Sequence, residues 1–147
     1  MSGNVILLVE DNDDDAELTS MAFADAHVTN PVVRVRTGEQ ALDYLFCAGA
    51  HASRAAELPV VVLLDIKLPG RNGLDILKVI RLDARTQHVP VVILTSSDEE
   101  ADRLLAYDGH ANSYVRKPVD YDQFVTAARH LGLYWTVMNV PPPRSAR

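Results

Sequence analysis

Pro59-Val60-Val61-Val62-Leu63-Leu64 is an unbroken apolar run, rich in β-branched residues, that ends on an acid, Asp65. A run without polar alternation is what a strand covered on both faces requires, because neither side of its pleat meets water. Val5-Ile6-Leu7-Leu8-Val9 and Val89-Pro90-Val91-Val92-Ile93-Leu94 have the same character. Pro31-Val32-Val33-Arg34-Val35-Arg36 instead alternates from Val33 onward, as a half-exposed edge strand does, and Ser113-Tyr114-Val115-Arg116 is a shorter fifth candidate. Helical patterns fill the intervals, from Asp14 to Ala26, Thr37 to Phe46, Gly73 to Leu82, Ser97 to Tyr107 and Asp120 to Met138. Thr37 with Gln40, and Ser97 with Glu100, have capping-box spacing, in which each side chain satisfies the other's free backbone N–H. Ala48-Gly49 and Gly109 mark stops. Five strands alternating with five helices imply right-handed βαβ crossovers. The expected fold is therefore α/β, a doubly wound five-stranded parallel sheet flanked by helices on both faces.

Composition sets the outer bounds. With 147 residues, 48% of them apolar, the chain suits a single domain with a proper core. We assign residues 1–138 to that domain and residues 139–147, which contain Pro141-Pro142-Pro143, to a C-terminal tail; the long connection from Ala48 to Leu58 is peripheral. No apolar run approaches the roughly 20 residues of a membrane span, and Met1-Ser2-Gly3-Asn4 has no basic stretch leading into a cleavable segment. The lone cysteine, Cys47, excludes an internal disulfide or a Cys-rich zinc site. These features fit a cytoplasmic protein. A net charge of −6, with Arg and Lys scattered along the chain, argues against direct nucleic-acid binding.

In an open parallel sheet, function collects beyond the carboxyl ends of the strands. Glu10 and Asp11 follow strand 1, Asp65 ends strand 3, Thr95-Ser96 end strand 4 and Lys117-Pro118 follow strand 5. Three carboxylates on one rim repel one another, and a divalent cation relieves that repulsion at neutral pH. Hard oxygen donors with room for water suit Mg2+. Zinc fits worse, because His27, His51, His88, His110 and His130 never stand at ligand spacing and read as surface or cap residues. Taken alone, Glu10 and Asp11 would be a solvated turn and Lys117 a surface lysine; their meeting with Asp65 on one rim is far more specific. Asp13, Asp14 and Asp15 have a simpler reading, as acids that favour a helix start. Glycine-rich nucleotide loops and a Gly-x-Ser-x-Gly elbow are absent from the sequence.

Read together, Val9-Glu10-Asp11-Asn12, Leu64-Asp65-Ile66-Lys67-Leu68-Pro69-Gly70 with Gly73, Ile93-Leu94-Thr95-Ser96-Ser97 and Tyr114-Val115-Arg116-Lys117-Pro118 resemble the receiver domain of two-component response regulators. The resemblance runs from Val5 to the final helix. It implies the flavodoxin-like strand order 2-1-3-4-5 and a phosphoryl group accepted by Asp65 from the phosphohistidine of a histidine kinase. It further implies that Asp11 and Asp65 bind Mg2+, with Glu10 supporting the ion through water and Lys67 lending its backbone carbonyl. Lys117 and the Thr95 hydroxyl would hold the phosphoryl oxygens, and Thr95 with Tyr114 would form the switch pair. The chemistry is consistent, since a carboxylate anionic at pH 7 needs no general base to act as nucleophile, only relief from repulsion. Glu10 stands where many receivers have Asp, which lengthens its reach. The sequence leaves the isomer of the Lys117-Pro118 peptide bond open.

The residues before strand 3 and the ending from Leu131 to Pro142 are similar to single-domain regulators paired with phytochrome-type photoreceptor kinases, which implies such a kinase as partner. The sequence ends after one receiver unit, so output is expected to pass through protein contacts. Phe124, Ala128, Leu131 and Trp135 form one stripe on the final helix, its core face. Leu133, Val137 and Val140 lie off that stripe and point to a homodimer through the C-terminal helices. Two other readings compete. A receiver-like scaffold without phosphotransfer would have no reason to keep mutually repelling acids. A metal-dependent phosphatase with an aspartyl nucleophile normally carries a second acid two residues on, where Lys67 stands. The expectation is a phosphoacceptor that catalyses its own phosphorylation and slow dephosphorylation without being a turnover enzyme.

Overall fold

The apolar runs form strands β1 (Ile6–Val9), β2 (Val32–Val35), β3 (Val61–Asp65), β4 (Val91–Thr95) and β5 (Ser113–Arg116) in a computed structural model that describes residues 5–25, 28–52, 57–70, 72–96, 113–117, 122–124 and 126. All neighbouring pairs are parallel, and the order is β2-β1-β3-β4-β5. Every residue of β1, β3 and β4 is buried, as their unbroken apolar runs require, whereas β2 lies at the sheet margin with only Val35 buried.

Helices α1 (Asp13–Asp25), α2 (Gly38–Phe46) and α3 (Gly73–Leu82) account for three of the expected five. Residues 122–124 and 126 are helical, inside the expected final helix. The remainder of that helix, the expected helix from Ser97 to Tyr107 with its capping box, the stop at Gly109, Pro118 and the 139–147 tail lie outside the described residues. Strand periodicity sorts the core into two layers. Leu7, Val9, Val62, Leu64 and Ile93 face α2 and α3, meeting Ala41, Leu45, Ile76 and Ile80. Ile6, Leu8, Leu63, Val92 and Leu94 face the other way, toward Ala16 and Phe23 of α1 and Phe124, whose rings lie 4.6 Å apart. Among the described residues no helix is long and apolar enough to cross a membrane.

Two local expectations shift. Strand β3 begins at Val61 and β4 at Val91, each two residues late; at β4 the preceding Pro90 carries no N–H for the ladder. At their carboxyl ends the strands run as expected, with Asp65 the last rung of β3 and Thr95 the last of β4. In α2 the Thr37 hydroxyl accepts from the Gln40 N–H at 3.1 Å, but the Gln40 side chain accepts from the N–H of Arg36 at 2.7 Å; only half the capping box closes on itself. The helix ends at Phe46 as expected, on a Cys47 cap in the left-handed conformation (φ 54°) just before the Ala48-Gly49 step. The peripheral connection holds a short 3-10 turn, Gly49–His51, whose His51 ring sits edge-on against Tyr44 at 5.1 Å.

Candidate functional site

The carboxyl ends of β1, β3, β4 and β5 lie on one edge of the sheet, and that topology alone gathers residues far apart in sequence. Glu10 follows β1 directly. Its backbone is clamped to β2 on both sides: the N–H donates to Val35 O at 3.0 Å, and its carbonyl accepts from Arg34 Nε at 2.8 Å. A fixed backbone lets the side chain turn inward, where it is fully buried. Asp65, also buried, accepts from the Lys67 N–H on Oδ1 at 3.0 Å, so the turn after β3 orients its own carboxylate.

Lys117 joins these parts. Its N–H donates to Thr95 O at 2.8 Å, extending the β4–β5 ladder by one rung, and its ammonium donates to Glu10 Oε1, Asp15 Oδ2 and Asp65 Oδ2, each at 3.0 Å. Burial works against the charge of Lys117, yet the bonds to these three acids outweigh it and hold the ammonium above its ordinary pKa. Burial, reinforced by the neighbouring Asp65 carboxylate and only partly offset by Lys117, pushes Glu10 up to about 7.

Glu10, Asp11 and Asp65 each offer an oxygen within 4.8 Å of the others, Asp11 from the exposed side of the group. Such a set of hard oxygen donors, open to water on one side, has the chemistry of a Mg2+ site and not of a zinc site. Thr95 is fully buried at the end of β4, beside the β3 rung where Asp65 pairs with Leu94. Tyr114, at 38% exposure, has its side chain at the surface, and Lys67 is likewise exposed beyond the backbone N–H that touches Asp65.

Two participants escaped the sequence reading. Asp13 meets Arg34 and Arg36 at 2.9 and 2.6 Å, away from the acid cluster, and the bond from Arg34 holds its carboxyl below the ordinary range. Asp15 does not stay with it as a solvated helix-start acid: it reaches Lys117. The reason is local. Asn12 caps α1 by accepting from the Asp15 N–H at 2.9 Å, and a capping box would return the Asp15 carboxylate to the Asn12 N–H. Here that N–H is drawn to Glu10 Oε2 at 3.3 Å, so the Asp15 carboxylate serves the ammonium instead. Arg34 is the other omission, a polar residue of an edge strand that braces the Glu10 carbonyl. Its alternation in β2 was visible, but not its target.

The family model of the response regulator receiver domain matches residues 6–129. The bacteriophytochrome response regulator RtBRR is 47% identical, with a TM-score of 0.86 over 97% of this chain and 86% of its own. Rcp1 of Synechocystis sp. is 28% identical over 131 residues, 89% of this chain and 88% of Rcp1. The crystal structure of its Mn2+-bound form gives a TM-score of 0.71 over 95% of this chain and 99% of that one. The phosphorylated cyanobacterial phytochrome response regulator RcpA is 32% identical, with a TM-score of 0.71 over 96% and 98% of the two chains. Sheet order, acid rim and these likenesses agree, and the chain belongs to the response regulator receiver domain family, as a relative of the phytochrome response regulators.

Proposed function

We propose that the protein is the phosphoacceptor of a two-component system, taking a phosphoryl group from a histidine kinase onto Asp65. The observation that carries this reading is the Asp65 carboxylate, buried at the end of β3, with the Lys117 ammonium 3.0 Å away and two further acids able to share a cation with it. Asp65 supplies the nucleophilic oxygen, already oriented by the Lys67 N–H. Lys117 sets positive charge against the incoming phosphoryl oxygens, and the Thr95 hydroxyl donates to one of them. Asp11 and Asp65 would hold Mg2+, with Glu10 behind them through water and Lys67 through its carbonyl; when bound, the ion neutralises phosphoryl charge. Thr95 and Tyr114 form the switch, the hydroxyl moving toward the phosphoryl group and the exposed ring moving inward. The protein is converted by this chemistry and is not a turnover enzyme.

Intact mass after incubation with acetyl phosphate tests the reading. One phosphoryl increment is expected, dependent on Mg2+ and lost in Asp65→Asn. If neither acetyl phosphate nor a panel of histidine kinases modifies Asp65, the protein is a scaffold that binds without phosphotransfer.

The likeness to RtBRR supports a phytochrome-type kinase as the donor, and membership of the receiver family is consistent with a cytoplasmic setting. Signalling then proceeds by changed protein association. The apolar Leu133, Val137 and Val140, which lie outside the described residues, support a homodimer through the C-terminal helices. Sedimentation equilibrium is expected to show a dimer that Leu133→Glu with Val137→Glu converts to monomer; a parent chain that is monomeric with and without phosphorylation overturns it.

A further inference from the structure

We propose that Asp15 is a positioning residue of the phosphotransfer site: it holds one donor of Lys117 in the unphosphorylated state and gives it up when the phosphoryl group arrives, so it slows phosphorylation. This inference rests on the phosphoacceptor reading of Asp65. An ammonium has three N–H donors. In Lys117 they point at Glu10 Oε1, Asp15 Oδ2 and Asp65 Oδ2, all at 3.0 Å, so a phosphoryl oxygen gains a bond from Lys117 only if one acid lets go.

The burial of the three acids decides which one. The Glu10 side chain is fully buried, so a carboxylate released there would be left in the interior without a partner, and the donor on Asp65, whose side chain is 4% exposed, already points at the group that reacts. Asp15 is 34% exposed, and water takes over its oxygen at once. Its backbone does not need the ion pair, because the Asn12 cap and the Thr19 hydroxyl hold that turn of α1 through the main chain. Nor does Lys117 need Asp15 to stay in place, since Glu10, Asp65 and the Thr95 carbonyl still fix it. What Asp15 adds is competition for a donor and a negative charge beside the incoming phosphoryl oxygens.

In the reaction, an Asp65 oxygen forms a bond to phosphorus while the bond from phosphorus to the acetate oxygen of acetyl phosphate breaks, and acetate leaves with the electron pair. Negative charge on the phosphoryl group meets Asp15 across a few ångströms, an interaction that sets the rate by roughly tenfold in a well-hydrated site.

The test is the rate of phosphoryl incorporation from acetyl phosphate at saturating Mg2+, followed by intact mass, in the parent chain, Asp15→Asn, Asp15→Ala, Asp15→Glu and Asp65→Asn. Asp15→Asn and Asp15→Ala are expected to accelerate incorporation by roughly tenfold, Asp15→Glu to stay near the parent, and the acceleration to shrink as ionic strength rises. A role confined to fold stability would not respond to salt in this way. An unchanged or slower rate in both Asp15→Asn and Asp15→Ala overturns the inference alone. A parent chain that gains no increment, or an Asp65→Asn chain that does, overturns the phosphoacceptor reading and this inference with it.

Discussion

Lys117→Met is expected to cost about 3 kcal/mol of stability at alkaline pH in the absence of divalent cations, and less at neutral pH where Glu10 takes up a proton, because it leaves the buried Glu10 and Asp65 carboxylates facing one another without their shared counter-charge. Methionine keeps the length of the side chain, so the loss reads the charge and not a cavity. The same variant is expected to bind Mg2+ roughly tenfold more tightly, since an ion of two charges no longer shares the rim with an ammonium. Added Mg2+ then restores much of the lost stability by mass action. Phosphoryl incorporation falls by roughly a hundredfold, the scale of losing one preorganised positive group at the reacting oxygens. Urea unfolding with chelator and with saturating Mg2+, with calorimetric titration of the ion, measures all but the last. Equal stability and equal Mg2+ affinity in parent and variant would show that Lys117 does not hold the acid cluster together.

Gly73→Ala is the second large effect, about 3 kcal/mol, and it arises from a close approach of backbones. A Cβ at Gly73 would stand 2.4 Å from the carbonyl oxygen of Asp65 and 2.8 Å from the Cα of Ile66. Neither atom can rotate away. The same glycine donates its N–H to Ile66 O at 2.8 Å, so the first turn of α3 is bound directly to the segment that carries Asp65. Making room for one methyl group must shift either the start of α3 or the Asp65 peptide. Stability and phosphoryl incorporation are therefore expected to fall together. Gly38 gives the contrast, since its added Cβ would meet Ile76 Cδ1 and Cγ1, side-chain atoms of the core and not backbone. A loss at Gly73→Ala below about 0.5 kcal/mol, the size of an ordinary surface change, would mean that α3 is not tied to Asp65.

The parallel strands, their alternation with helices and the rim that collects Glu10, Asp11, Asp65, Thr95 and Lys117 were legible in the chain. Buried strands announce themselves by unbroken apolar runs, and a parallel sheet puts all their carboxyl ends on one side. The displaced start of β4 was legible in principle too, from Pro90. The left-handed conformation of the Cys47 cap was not, because it breaks the preference for glycine there; the bond from the Ala48 N–H to Asp43 O, at 2.8 Å, closes that cap.

Asp15 marks the boundary between the two kinds of information. By itself the sequence determined that an acid stands at that point in the first turn of α1, near a capping asparagine, and periodicity and capping chemistry reach no further than a few residues. Only the tertiary structure decided what the acid does. Lys117 lies 102 residues away, beyond β3 and β4 in the sheet, and it meets Asp15 because five strands are stacked in one order and Glu10 has already taken the Asn12 N–H. Local patterns are written by neighbours in the chain; the partner of a charge is chosen by what folding brings within hydrogen-bond reach and by how much water is left there to compete.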